Sequence, residues 1–169
     1  MAALAHFGVG LAAKRVAPSV PRGVLMLGVW LLDLLWGLFF LVGLEHLPEA
    51  GRASPWSHGL FMAVVWSLLA ASAAFLVRHR WQAGAFIGLL VFSHWAVDFI
   101  SQPMTHQFPG SVGPPLRFEG SPTVGLGLYR TALGQSIGEY GTLAVGTALY
   151  VLAVLKIRRA RAASRAGPA

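Results

Sequence analysis

Apolar residues along this chain form long blocks that are separated by short polar segments. Four apolar runs of about 20 residues have the length that crosses a bilayer. They cover residues 23–44, 57–77, 82–100 and 136–155. The pattern predicts an all-α, polytopic membrane bundle with four transmembrane helices. An apolar run at 1–15 is too short to cross and predicts an N-terminal half-membrane or interfacial helix that Lys14 and Arg15 close.

The polar segments predict how these helices are connected. Residues 16–23, VAPSVPRG, contain two prolines and predict a turn between two antiparallel helices. Residues 101–134 are rich in Pro, Gly and Ser and predict an outer loop without regular structure in the hydrocarbon. Residues 156–169 form a basic cytoplasmic tail. We expect residues 1–169 to form a single integral membrane domain.

Composition supports the membrane interpretation and limits the chemistry. The chain is 56% hydrophobic and 11% charged, whereas soluble domains are about 25% charged. It has no cysteine, which excludes disulfides and thiolate metal sites, so any metal must be bound by nitrogen and oxygen. The net charge of +7 comes from residues that flank apolar runs, which predicts anionic lipid at the tail as a partner and no nucleic acid. The oligomeric state is not predicted.

The basic residues divide unequally between the two sides of the predicted bundle, and cytoplasmic segments carry the excess. This predicts that both termini are cytoplasmic and that 45–56 and 101–134 face outward. Three basic residues fall on the outer side, namely Arg52, Arg117 and Arg130; ten fall on the other, namely Lys14, Arg15, Arg22, Arg78, Arg80, Lys156, Arg158, Arg159, Arg161 and Arg165.

Several ionisable residues interrupt the apolar runs. A charged group within the bilayer is costly, so it usually faces the bundle interior and has a partner. These residues are Asp33 in the first run, His58 at the start of the second, His94 and Asp98 in the third, and Glu139 near the start of the fourth.

Helical geometry predicts that these groups converge. His94 and Asp98 are one turn apart and share a helix face. If the N-terminal hairpin inserts from the cytoplasmic side, His6 rises about 12 Å above Lys14 and approaches Asp33. Converging imidazole and carboxylate groups are the ligands that zinc or a similar divalent ion requires.

Each candidate has a simpler interpretation. His94 and Asp98 can bond only to each other and stabilise helix packing. His6 can lie at an interface, His58 can belong to a helix-capping turn, and Glu139 can be a first-turn carboxylate that its helix dipole favours. His106 is a further candidate ligand in the outer loop. The polar residues expected in solvent are Glu45, His46, Glu49 and His79.

The order of these residues resembles a known family. Four elements carry the resemblance: His6 in AHFGVG, Asp33 in LLDLL, His58 in WSHG, and His94 with Asp98 in SHWAVDFISQP. In the same order, they resemble an early histidine, Pro-Asp-x-Asp, His-Arg-Gly-x-Thr-His-Ser and Ser-His-x-x-x-Asp. These motifs belong to the membrane-bound metal-dependent hydrolase-like proteins of the YdjM type. The chain departs from that pattern by lacking the second aspartate of the second element and the first histidine and the serine of the third. The residues at those positions are Leu35, Ala53 and Gly59.

The resemblance implies a hydrolase in a bacterial inner (plasma) membrane. A site that opens at the outer leaflet among apolar helices would suit a lipid-like ester or phosphodiester as the substrate. The metal, expected to be zinc, would be bound by His58, His94 and Asp98, with Asp33 or His6 completing the set. Glu139 or Asp33 would be the general base or orient a ligand imidazole. Arg117 or Arg130 would contact a phosphate. The alternatives are a non-catalytic membrane scaffold with a structural polar core, and a small ion or metal permease.

Overall fold

The protein is a helical bundle. The computed structural model describes residues 2–45, 54–102, 113–118 and 120–165. Its elements are α1 (Ala3–Val16), α2 (Arg22–Leu41), α3 (Leu60–Arg78), α4 (Trp81–Ser101), a 3₁₀ turn (Leu128–Arg130), α5 (Ala132–Ser136), a π-helical turn (Ile137–Gly141) and α6 (Thr142–Arg165). These described ranges contain no β-strand, only an isolated bridge between Pro115 and Thr123. The predicted all-α class is confirmed.

Four helical stretches are long and apolar enough to cross a membrane, namely α2, α3, α4 and the continuous stretch Ala132–Arg165. The first three contain 20, 19 and 21 residues, and 20 residues rise about 30 Å, the thickness of the hydrocarbon core. The chain is therefore an integral membrane protein. Two boundaries differ from the pattern: α3 begins only at Leu60, which leaves His58 in the preceding turn, and α6 continues through the predicted basic tail to Arg165.

The two ends of the bundle differ in chemistry. At one end, here called the basic end, α1, α3 and α6 finish and α2 and α4 start. The turn between α1 and α2 lies at the basic end, and prolines bound it. Helix α1 ends at Val16, directly before Ala17-Pro18, and α2 begins directly after Pro21. Lys14 Nζ donates to the carbonyl of Val20 across this turn, 2.6 Å away. The opposite end is the loop end.

Residues 113–118 and 120–131, here called the loop segment, close the loop end. The first amides of α3, on Leu60 and Phe61, donate to the carbonyls of Pro115 and Leu116 at 2.8 and 3.2 Å. At the end of α4, the carbonyl of Phe99 accepts the amide of Leu126 at 2.7 Å. Helix ends leave such groups without intrahelical partners, and in a membrane they must be satisfied within the protein. The loop segment therefore stabilises the helix ends around the candidate site.

Small residues bring the helices together. A Cβ on Gly88 of α4 would lie 2.9 Å from the Cβ of Ala71 and 3.0 Å from the carbonyl oxygen of Ser67 on α3. A Cβ on Gly146 of α6 would overlap the backbone of Gly8 on α1. These contacts place α3 against α4, and α1 against α6. The short helix α1 is thereby held inside the bundle, where α2 and α4 also contact it.

Gly146→Ala should destabilise the protein, because the added methyl group has no space against the backbone of Gly8. Overpacking of this kind costs about 1–3 kcal/mol. The matched control is Gly37→Ala in α2, where a Cβ would meet no atom within 4 Å. Thermal unfolding in detergent should show a lower midpoint for Gly146→Ala and an unchanged or higher midpoint for Gly37→Ala. Equal midpoints for the two variants would contradict the close α1–α6 packing.

Candidate metal site

Five ionisable residues from separate parts of the chain meet inside the bundle. They form two overlapping groups in which the ligand atoms lie within 4.8 Å of one another: His6, His94 and Asp98, and Asp33, His58 and His94. His6 comes from α1, Asp33 from α2, His58 from the turn before α3, and His94 and Asp98 from α4. His6, Asp33, His58, His94 and Asp98, which the sequence suggested as metal ligands, are all in this cluster, and these histidine and aspartate groups can hold a metal ion.

His58 lies at the centre of the cluster. Its Nε2 atom is 3.2 Å from Asp33 Oδ1, 3.2 Å from His94 Nε2 and 3.7 Å from Asp98 Oδ2. A simple capping role would leave this imidazole outside the bundle. Instead, it faces an imidazole and two carboxylates from three different partners.

His94 is oriented by the backbone of α2. Its Nδ1 atom lies 2.7 Å from the carbonyl oxygen of Val29. A carbonyl can only accept, so Nδ1 carries the proton and donates it. The Nε2 atom then points into the cluster, 3.6 Å from Asp33 Oδ1 and 3.5 Å from Asp98 Oδ2. A hydrogen bond from the second ring nitrogen to a carbonyl is typical of metal-binding histidines.

The two oxygens of Asp98 serve different partners. Oδ2 faces His58 and His94, whereas Oδ1 lies 3.4 Å from His6 Nε2 and 3.3 Å from Gln102 Nε2. Asp98 is 4% exposed, so these groups replace its lost water. His94 and Asp98 therefore have partners besides each other. The simpler interpretation of their spacing, that they bond only to each other, does not describe this cluster.

His6 is buried behind His94, not at an interface. The two rings stack with centroids 3.7 Å apart and planes 6° apart. Its Nδ1 atom is buried and has no hydrogen-bond partner among the described residues. The helix that carries it, α1, is too short to span the bilayer. Burial lowers the pKa of His6 below its usual value, and the nearby Asp98 offsets this only in part.

Access to the cluster is one-sided. His6, His94 and Asp98 are buried, whereas the side chains of Asp33 and His58 are 18% and 16% exposed. A small molecule or ion must therefore reach the cluster on the side of Asp33 and His58.

Two sets of three ligand atoms have the spacing of a shared metal ion. Both contain His58 Nε2 and His94 Nε2; one set adds Asp33 Oδ1 and the other adds Asp98 Oδ2, and the distances within each set are 3.2–3.7 Å. Ligands bound tetrahedrally at 2.0–2.2 Å are separated by about 3.3–3.6 Å. Imidazole nitrogen and carboxylate oxygen also suit zinc and similar divalent ions. Each set of three atoms therefore fits one such ion in spacing and in donor chemistry.

Glu139 has a different position. It lies in the π-helical turn before α6, is 8% exposed, and belongs to neither group of candidate ligands. Its Oε2 atom accepts the amide of Ala5 at 2.9 Å. Ala5 is in the first turn of α1, where amides lack intrahelical acceptors. Glu139 therefore binds the N-terminus of α1, one residue before His6, and does not act only on its own helix.

Glu45 is a residue whose role the sequence did not reveal. The expectation that it is solvated was wrong, because it is 2% exposed. Its Oε1 atom accepts the amides of Trp56 and Ser57, both at 2.8 Å, and its Oε2 atom accepts the Ser57 hydroxyl at 2.7 Å. The only signal in the sequence is that Glu45 directly follows an apolar run. Nothing local indicates a contact with a turn 12 residues later.

The remaining polar candidates lie away from the cluster or outside the described residues. His79 is exposed in the turn between α3 and α4, as expected. Arg117 and Arg130 are exposed on the loop segment. His106, a candidate ligand, and His46 and Glu49, which were expected in solvent, fall outside the described residues, as do Arg52 and Ala53.

Comparisons of the chain with protein-family models, with curated proteins and with solved structures found no match.

Glu139→Ala should destabilise the protein by about 1–3 kcal/mol, the usual cost of leaving a buried amide without an acceptor. Glu139→Gln retains an oxygen that can accept the Ala5 amide and should lose much less. Unfolding of both variants in detergent measures the difference. Equal losses in the two variants would show that the negative charge, and not the hydrogen bond to α1, is what matters.

Proposed function

We propose that this chain is a membrane-embedded, metal-dependent hydrolase. The observation that carries the proposal is the convergence of His58 Nε2 and His94 Nε2, 3.2 Å apart, with carboxylate oxygens of Asp33 and Asp98 beside them. Two imidazole nitrogens that face each other at this distance with their lone pairs repel unless a proton or a metal ion lies between them. A divalent ion supplies that charge, and zinc prefers this set of ligands.

His58, His94 and Asp98 are the proposed protein ligands. Asp33 lies beside them on the exposed side, where a catalytic zinc site keeps its fourth position for water. His6 contacts the other oxygen of Asp98, so it orients this carboxylate from behind. One ion for each chain is consistent with Leu35, which stands where the resembling family has a second aspartate and packs against the apolar cluster around Leu32.

The metal would supply a water molecule that is acidic enough to act as a nucleophile at neutral pH. Asp33 would hold the proton that leaves the attacking water and would return it to the leaving alcohol as the ester or phosphodiester bond breaks. Asp33 is the better placed of the two suggested bases, because Glu139 is occupied by the amide of Ala5.

A lipid-like ester or phosphodiester is the proposed substrate class. The site lies within apolar helices and near the loop end, where an amphiphile can bring its headgroup to the polar cluster while its chains stay in the bilayer. Arg117 and Arg130 on the loop segment are exposed and suit contact with a phosphate.

The proposed membrane is a bacterial inner (plasma) membrane, with the basic end in the cytoplasm. The positive-inside rule supports this orientation, since the described basic residues at the loop end are Arg117 and Arg130 only, against ten at the basic end. The basic residues of α6 would then contact anionic lipid. The resemblance to hydrolase-like proteins of the YdjM type supports the same location.

An apolar cluster argues against the permease alternative. Ala13, Leu25, Val29 and Leu90 are buried together, and each lies on the basic-end side of the candidate ligand on its own helix. Leu90, for example, precedes His94 by one turn. An ion that moved from the cluster to the basic end would have to cross this dry packing, which is costly.

The purified protein in detergent should bind about one zinc per chain, and His94→Ala and Asp98→Ala should each lose it. The reason is that each variant removes one of the proposed buried ligand atoms. His79→Ala, which removes an exposed imidazole, is the control and should retain the metal. Metal analysis together with hydrolysis of phospholipid vesicles by the zinc-loaded protein measures both parts of the proposal. A metal-free wild-type protein that remains folded and inactive would favour the scaffold alternative.

A further inference from the structure

A buried chain of hydrogen bonds leads from Glu45 to the centre of the cluster. Glu45 Oε2 is 2.7 Å from Ser57 Oγ, and Ser57 Oγ is 2.7 Å from His58 Nδ1. Glu45 is 2% exposed and Ser57 is fully buried. Glu45 and Ser57 are not among the residues proposed above to bind metal or substrate.

The positions of the protons in this chain follow from its donors and acceptors. Glu45 already accepts two backbone amides through Oε1, and its carboxylate has no proton to donate. The single hydroxyl proton of Ser57 must therefore point to Glu45 Oε2. Ser57 Oγ then offers only lone pairs to His58, so His58 Nδ1 must carry a proton.

The consequence appears at the other nitrogen of the ring. With the proton of neutral His58 on Nδ1, its Nε2 atom has a free lone pair, and this atom lies 3.2 Å from His94 Nε2. Val29 imposes the same tautomer on His94. The carbonyl of Val29 and the hydroxyl of Ser57 each accept from an Nδ1 atom. The Nε2 lone pairs of His94 and His58 therefore both face the centre of the cluster.

His58 needs this support more than His94 does. His94 is in the middle of α4, but His58 precedes the first residue of α3 and belongs to a turn. Glu45 holds this turn through the amides of Trp56 and Ser57 and orients the imidazole through the hydroxyl. One carboxylate thus fixes both the backbone position and the tautomer of His58.

We propose that Glu45 and Ser57 are positioning residues that hold His58 in the Nδ1-protonated tautomer and so determine how tightly the site binds its metal. This inference rests on the proposed metal-dependent function for its biological meaning. The tautomer itself is a property of the metal-free protein.

Glu45→Gln is the sharpest test. The amide oxygen can still accept the two backbone amides, but the amide nitrogen donates to Ser57 Oγ instead of accepting from it. The serine proton must then turn to His58 Nδ1, which moves the imidazole proton to Nε2 and blocks the ligand atom. We expect zinc affinity to fall by about 10–100-fold, the range for lost partners of metal-binding histidines. A role limited to holding the turn would leave the tautomer unchanged.

Nitrogen-15 NMR of histidine-labelled protein without metal distinguishes the tautomers directly, at a pH about two units above the ordinary imidazole pKa of 6.5. The His58 signals are assigned by their loss in His58→Ala. The wild type should show a protonated Nδ1, and Glu45→Gln a protonated Nε2. A protonated Nε2 in the metal-free wild type would overturn the inference without any variant, so it does not depend on whether Glu45→Gln folds.

Ser57→Ala and Ser57→Thr provide the second test. The alanine variant removes the acceptor of His58 Nδ1 and should weaken zinc binding by about 10–100-fold, whereas threonine retains a hydroxyl and should restore most of the affinity. Ser67→Ala is the matched control, since Ser67 is also buried but donates to the carbonyl of Ala63. Titration with zinc alone measures all four proteins.

The outcomes separate this inference from the proposed function. Wild-type affinity in both Ser57→Ala and Glu45→Gln would refute the positioning role and leave the metal site intact. A wild-type protein with Nδ1-protonated His58 that binds no zinc would refute the metal-dependent function and retain the orienting role of Glu45 and Ser57. Tight zinc binding without hydrolysis would refute catalysis alone.

Discussion

The structure depends on one electrostatic constraint. Two imidazole nitrogens and two carboxylate oxygens face one another at 3.2–3.7 Å within an apolar bundle. Without water, such groups repel strongly unless protons or a metal ion compensate their negative potential. Their close approach must therefore be imposed by the surrounding fold, and a cation that enters the cluster relieves the repulsion. This is why the same residues that are costly to bury are suited to bind an ion.

The fold imposes that approach through contacts remote from the cluster. Gly8 and Gly146 let α1 lie against α6, and Glu139 binds the first turn of α1, so that His6 is held behind His94. The loop segment satisfies the ends of α3 and α4. Each contact uses a backbone group that a membrane environment cannot hydrate. The same contacts therefore satisfy backbone groups within the protein and place the candidate ligands near one another.

Orientation of the imidazoles separates this cluster from a set of residues that only stabilises packing. Packing requires that each polar group find some partner, in either tautomer. In this bundle the carbonyl of Val29 accepts from His94 Nδ1, and Ser57 Oγ, whose own proton goes to Glu45, accepts from His58 Nδ1. Both Nε2 atoms are left facing each other. A structural polar core would gain nothing from this arrangement, because an imidazole that donated through Nε2 would pair better with a carboxylate.

The four membrane helices could be predicted from the sequence, and so could the residues of the cluster, namely His6, Asp33, His58, His94 and Asp98. Both follow from local physics: apolar runs of bilayer length form helices, and ionisable groups within them must find partners. Helix packing was needed to show that α3 begins after His58, that Glu139 binds Ala5, and that the buried Glu45 reaches Ser57. These contacts join connections and helix ends that share no periodic pattern, so their pairing depends on how the helices pack.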